Sequence, residues 1–300
     1  MRQSPAHGAG LHAPAEHAMD AIKTDFVPGP PRLAYDHAGS GPVLLFLHGI
    51  GGNRGNWRDQ LAAFAPDYHT VAWDARGYGG SADYDGPLDF ADFSADLKRL
   101  LDHLGAERAH LCGLSMGGRI LLDFEARYPE RVATLTLVST FPGFATSFRP
   151  EKQEEFLRLR RQPLLEGKEP RDIAPAIVAI VASLTGPSST DAVKARLTES
   201  MAALHKQSYI KTLEATTRYD RSADLPHIAA PVLLIYGTED RLTPVKIGRA
   251  MAGQIPDAQL VVIEQAAHLV NIEKPQAFDA ALRPFLAAHR TLAQERGTAA

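Results

Sequence analysis

Apolar residues along this chain recur in two different patterns. VLLFLH at 43–48 and VLLIYG at 232–237 are continuous apolar runs with no alternation, the pattern of strands buried on both faces of a sheet. HTVAWD (69–74), AHLC (109–112), VATLTLVST (132–140) and QLVVIE (259–264) are further strand-length candidates. Two more, at 22–27 and 32–37, flank a turn of Pro28, Gly29, Pro30 and Pro31 and predict a hairpin. Between the strands the period changes. Trp57, Leu61 and Phe64 stand at helical spacing, and so do Phe93, Leu97, Leu100, Leu101 and Leu104 with Gly105 as a stop. Further helices are expected from Arg119 to about Tyr128, up to about Met251, and over 275–289, where Pro275 suits a first turn. Strands alternating with helices predict an α/β fold with a mostly parallel central sheet and helices on both faces.

From about Phe141 to Ala223 that alternation stops. EKQEEFLRLRRQ, DIAPAIVAIVASLTG and the stretch from SSTDAVKARL to TTRYD all read as helix. A helical block between two sheet strands is expected to be an insertion, a cap over the active face that excludes water. The expected organisation is therefore a core of 22–140 and 224–289, a cap of 141–223, a disordered tail of 1–21 and a loose tail of 290–300. Met19 is a second candidate for the start of translation. No internal repeat is visible.

Composition narrows the function classes. Thirty-two Lys and Arg against 35 Asp and Glu give a formal charge of -3, which offers no electrostatic footprint for nucleic acid or an anionic membrane. One cysteine, Cys112, cannot close an internal disulfide, and as a small residue on a buried strand it reads as core. No apolar run approaches the ~20 residues of a spanning helix and the N-terminus lacks the apolar stretch of a signal peptide, so a cytoplasmic location is expected. His7, His12 and His17 lack acidic or cysteine partners at ligand spacing and read as tail residues.

The chemistry converges on residues 113–117. Gly113-Leu114-Ser115-Met116-Gly117 spells G-x-S-x-G, a sharp strand-to-helix turn that lifts a serine hydroxyl above a sheet. A side chain at either glycine would collide where the chain folds back. Ser115 is thus the candidate nucleophile. A serine needs a base within reach and a third group to hold that base, and the chain supplies Asp240 and His268, each just beyond a strand candidate. The glycine-dense loop His48-Gly-Ile-Gly-Gly-Asn53 follows another strand and is expected to bring backbone N–H groups to an oxyanion, with His48 shaping that loop. Trp57, Phe141 and Phe144 are candidates for the substrate-facing wall, alongside the reading that they only pack. Arg119 is read either as a contact for a substrate carboxylate or as a solvent-facing helix residue.

Taken together, HGIGGN (48–53), DARGYGGS (74–81), GLSMGG (113–118), GTEDRLTP (237–244) and AAHLVNIEKP (266–275) resemble the α/β-hydrolases that use a serine, across about residues 22 to 289. GLSMGG with a helical cap is most similar to 3-oxoadipate enol-lactonases and related carboxylesterases. The resemblance implies an oxyanion hole built from the amides of Ile50 and Met116. It also places the acid at Asp240 rather than Glu239, through the pattern G-x-x-D-x-x-x-P. It implies cleavage of a small-molecule carboxylic ester or lactone through an acyl-enzyme, with no metal or organic cofactor. Ser115 argues against relatives whose nucleophile is Asp, and Leu269 after His268 departs from the Trp typical of carbon-carbon hydrolases. Perhydrolases, thioesterases and a hydrolase-like ligand receptor with slow turnover remain alternatives, and the oligomeric state is not readable.

Overall fold

A computed structural model describes residues 21–173, 186–187 and 189–293. The expected tail over 1–20, most of DIAPAIVAIVASLTG and residues 294–300 lie outside the described residues. Among the described residues eight strands form one sheet in the order β1-β2-β4-β3-β5-β6-β7-β8. β1 (Lys23–Val27) and β2 (Leu33–Ala38) make an antiparallel hairpin, and β2 also runs antiparallel to β4 (His69–Trp73). From β4 onward all pairing is parallel, through β3 (Val43–Leu47), β5 (Ala109–Leu114), β6 (Val132–Val138), β7 (Val232–Gly237) and β8 (Ala258–Ile263). Every residue of β3, β5, β6 and β7 is buried, and β3 and β7 accordingly carry no polar alternation. β8, at an edge, is mostly half-buried.

Helices cover the sheet. α1 (Arg58–Phe64) continues a short 3-10 turn and packs against the last long helix, α8 (Pro275–Ala288). α2 (Phe90–His103) packs against α3 (Met116–Arg127). α2 begins at a reciprocal cap: the Asp89 carboxylate accepts the Ala91 N–H at 2.9 Å while Asp92 accepts the N–H of Asp89 at 2.9 Å. Such a cap stabilises a helix by about 1 kcal/mol. Between β6 and β7 the described chain forms α4 (Pro150–Leu165), α5 (Asp191–Ala202) and α6 (Lys206–Arg218), with α4 packed on α6. α7 (Val245–Ala252) joins β7 to β8. Residues 290–293 are not loose: Arg290 donates to the Asp67 carbonyl at 2.8 Å and stacks over Tyr68. Among the described residues no helix is long and apolar enough to cross a membrane.

Strand order places the site. The chain goes from β3 sideways to β4, then returns to the other side of β3 as β5, so the loops after β3 and β5 leave the sheet in opposite directions. Leu47 pairs with Gly113, which puts the ends of these two strands at the same level. A crevice at the carboxyl ends of strands is expected at such a switch point.

Candidate active site

Ser115 is the single residue between β5 and α3, and its backbone sits at φ 53°, ψ -108°. That conformation costs a non-glycine residue roughly 1–3 kcal/mol, so its surroundings must impose it. They do so through three hydrogen bonds. The Ser115 N–H donates to Val138 O at 2.8 Å, while its carbonyl accepts the Thr140 hydroxyl at 2.7 Å and the Arg119 N–H at 3.2 Å. The two glycines of the turn are steric necessities: a Cβ at Gly113 would meet the backbone of Gly117, and one at Gly117 the backbone of Leu47.

His268 and Asp240 come from the ends of β8 and β7. His268 is 3% exposed and its Nδ1 lies 2.9 Å from Asp240 Oδ2. The second Asp240 oxygen accepts the N–H groups of Leu242 and Thr243, each at 2.8 Å, and the Thr243 hydroxyl donates to Oδ2. Burial alone would raise the Asp240 carboxyl, yet the His268 ring and these donors hold it below the ordinary carboxylate range. Asp240 is therefore an anion throughout the neutral range, an acceptor that favours the His268 tautomer with its proton on Nδ1. Ser115, His268 and Ile50 line one cavity, whose walls include Leu114, Leu197 and Met201.

The loop after β3 is braced from below. His48 is fully buried, with Nδ1 2.9 Å from Gly49 O and Nε2 accepting the Ala75 N–H at 3.1 Å. Burial outweighs nearby Asp74 and lowers its proton affinity, so His48 is a neutral structural ring. Asp74 accepts the Arg54 and Gly80 N–H groups at 2.7 Å each, tying that loop to the one after β4. Met116 is the first residue of α3, where an amide has no acceptor within its own helix.

A family model for the α/β hydrolase fold matches residues 42–275. The chain belongs to the α/β hydrolase fold family. It is 28% identical to a 3-oxoadipate enol-lactonase 2 of Acinetobacter baylyi over 80% of this chain and 87% of the relative. It is 31% identical to a 2-hydroxy-6-oxononadienedioate/2-hydroxy-6-oxononatrienedioate hydrolase of Paraburkholderia phymatum, covering 85% and 91% respectively. Among solved structures, a thermophilic esterase from Thermogutta terrifontis superposes with a TM-score of 0.79 at 27% identity, over 90% of this chain and 99% of that one.

Within this α/β hydrolase fold, three residues expected at the substrate wall stand elsewhere. Trp57 is fully buried, stacked on Phe46 at 4.9 Å and against Phe278 at 5.8 Å, because its helical stripe with Leu61 and Phe64 faces the sheet. Phe141 and Phe144 pack on one another and around Arg119, and none of the three lines the Ser115 cavity. Arg119 fits neither earlier reading. It is 2% exposed, with its guanidinium 4.7 Å over Phe141, and burial lowers its pKa to about 10.

Sequence reasoning missed four residues that the fold brings to the site. Thr243 contacts both Asp240 and His268 Nδ1, the latter at 3.2 Å. Glu273 accepts the N–H groups on either side of His268, from Ala267 at 3.2 Å and Leu269 at 3.1 Å, and a third from Gly186 at 3.3 Å. Glu273 stands in the quoted stretch AAHLVNIEKP, where its place five residues after the histidine was the available signal. Arg160 and Tyr209 line the cavity from α4 and α6, and no local pattern marked them.

Proposed function

We propose that this chain is a serine hydrolase that cleaves a carboxylic ester or lactone through an acyl-enzyme, in the manner of 3-oxoadipate enol-lactonases. The observation that carries the reading is the strained Ser115 at a cavity it shares with His268, itself paired to a buried anionic Asp240. Ser115 Oγ attacks the substrate carbonyl and its proton passes to His268 Nε2. The amides of Ile50 and Met116 hold the oxyanion. His268 returns the proton to the departing alkoxide, then draws one from a water that attacks the acyl carbon, and passes it to Ser115 Oγ as the acid is released. Asp240 keeps the imidazole in the required tautomer and stabilises its protonated form. Each oxyanion donor in such a site contributes about 3 kcal/mol to the transition state.

The segment 141–223 acts as a cap, with 22–140 and 224–289 as the core. What supports this is that α5 supplies Leu197 and Met201 to the cavity wall, and that Ser200 donates to the Gly51 carbonyl at 3.1 Å in the loop after β3. The names of the relatives support hydrolysis as the reaction class. The test is a screen of esters, lactones and thioesters with the Ser115→Ala protein as blank. Turnover of an ester or lactone that disappears in the blank is expected. Equal rates in both proteins, or turnover confined to thioesters, would overturn the reading.

A further inference from the structure

The loop after β3 is a tight turn gripped from two sides. The Gly52 N–H donates to the Gly49 carbonyl at 3.0 Å, closing a turn over 49–52, and Gly51 sits at φ 84°, the conformation that the third residue of a type II turn asks of a glycine. The same Gly49 carbonyl accepts from His48 Nδ1 at 2.9 Å. A trans peptide sets its N–H and C=O on opposite sides, so a Gly49 carbonyl held toward His48 and Gly52 turns the Ile50 N–H the other way. Gly49 and Ile50 both line the Ser115 cavity, and a Cβ on Gly49 would lie 3.4 Å from the Ser115 Cβ. The second grip comes from α5. Ser200 is buried; its hydroxyl donates to the Gly51 carbonyl at 3.1 Å and accepts from Asn53 Nδ2 at 3.2 Å, so both of its roles go to this loop. Met201 packs on the open face of Gly51, where a Cβ would come within 3.3 Å of its Cε. One helical turn earlier, Arg196 donates to the Gly55 carbonyl and pairs with Asp59 at 3.1 Å.

We propose that Ser200 is a positioning residue for the Ile50 amide, so that the cap sets the geometry of the oxyanion hole. This rests on the hydrolase reading above, which puts an oxyanion donor at Ile50. The connection runs through two peptide groups. The peptide between Gly51 and Gly52 is held at its carbonyl by Ser200 and at its N–H by the Gly49 carbonyl, which fixes its plane from both ends. The peptide between Gly49 and Ile50 takes its orientation from that same N–H and from His48. Without the Ser200 hydroxyl the buried Gly51 loses this donor, and the glycines on either side leave the peptide free to rotate. An oxyanion donor acts only when aimed at the place where charge develops, so a small rotation of the Ile50 amide lowers kcat more than it alters substrate binding. Ser200 stands 149 residues along the chain from Gly51, and its reach across that distance makes the loop depend on where α5 sits.

The test follows p-nitrophenyl acetate and p-nitrophenyl butyrate turnover in the wild-type protein, Ser200→Ala and Ser200→Thr, alongside the amide NMR signals and hydrogen exchange of Ile50 and Gly52. Ser200→Ala should lower kcat by about 10-fold or more while KM changes by less than about 2-fold. Ser200→Thr keeps the hydroxyl and should restore most of that loss. In Ser200→Ala the Ile50 and Gly52 amide signals should shift, and the Gly52 amide should exchange about 10-fold faster as its bond to Gly49 loosens; in Ser200→Thr both should stay near wild type. A lower melting temperature with kcat unchanged, a rise in KM without a fall in kcat, or amide signals left in place in Ser200→Ala would each overturn the proposal. The amide readout does not depend on turnover. If the wild-type protein cleaves no ester and the two amides still move in Ser200→Ala, the hydrolase reading alone fails and the positioning of the amide by Ser200 stands. If esters are cleaved and either kcat or the amides fail to respond, the positioning role alone fails.

Discussion

Asp240 accepts from two amides, a hydroxyl and an imidazole, and this saturation lets a buried carboxylate stay ionised. A neutral amide at that position would lose the charge and turn a donor toward the ring. Asp240→Asn should therefore lower kcat by about 10⁴, and Ser115→Ala or His268→Ala by up to about 10⁶, with unchanged melting curves. Glu239→Gln should stay within a few-fold of wild type; a larger loss there than in Asp240→Asn would move the acid to Glu239. Ester assays across the four variants decide this. That Ser115, Asp240 and His268 would meet at one place was readable in the sequence because each follows a strand run and sits in a short local pattern. Thr243, Arg160 and Tyr209 were not, since their meaning depends on chain segments meeting across a cavity. Trp57 misled for a related reason: a large aromatic near a glycine loop looks the same in sequence whether it faces a pocket or the sheet.

At the scale of elements, continuous apolar runs identified β3 and β7 because burial on both faces removes the polar alternation that a half-exposed strand would keep. Helical periodicity likewise marked the block between β6 and β7, but periodicity does not say which face of α4, α5 or α6 meets the core. That choice is made by contacts such as Ser200 with Gly51 and Tyr219, whose hydroxyl donates to the Arg119 carbonyl at 2.7 Å. Glu273 is the clearest case of an element held by tertiary contacts, since it clamps the backbone on both sides of His268 and reaches Gly186 between α4 and α5. Replacing one of its oxygens with an amide donor, as in Glu273→Gln, turns two N–H donors against each other. Displacement of a reacting group by about 1 Å costs on the order of 10²-fold, so kcat should fall by 10- to 100-fold with KM little altered. A melting curve and a full kcat and KM determination check this; a change in KM alone would mean that Glu273 acts on substrate binding instead.

For the molecule as a whole, stability near neutral pH carries a penalty built into α8. Asp279 is partly buried and accepts from Gln60 Nε2 at 3.2 Å; burial raises its pKa to about 6. An unfolded aspartate titrates near ~3.9, so the folded state favours the protonated form, and the stability this provides below about pH 4 is lost as pH rises through about 6. Asp279→Asn keeps the acceptor oxygen and abolishes the titration. Its melting temperature relative to wild type should climb between about pH 4 and 6 and then level off, and a difference independent of pH would exclude this origin. The switch-point topology brings the loops after β3 and β5 to one crevice; alternating strands and helices made a mostly parallel sheet legible in the sequence, but not the strand order that sets this crossing. The central claim is that this crevice holds one activated serine. Its most direct test is labelling with a fluorophosphonate, followed by peptide mass spectrometry. The adduct should fall on Ser115 alone, form at least 100-fold more slowly in His268→Ala, and be absent in Ser115→Ala. Labelling of another residue, or of Ser115 at an equal rate without His268, would contradict the account.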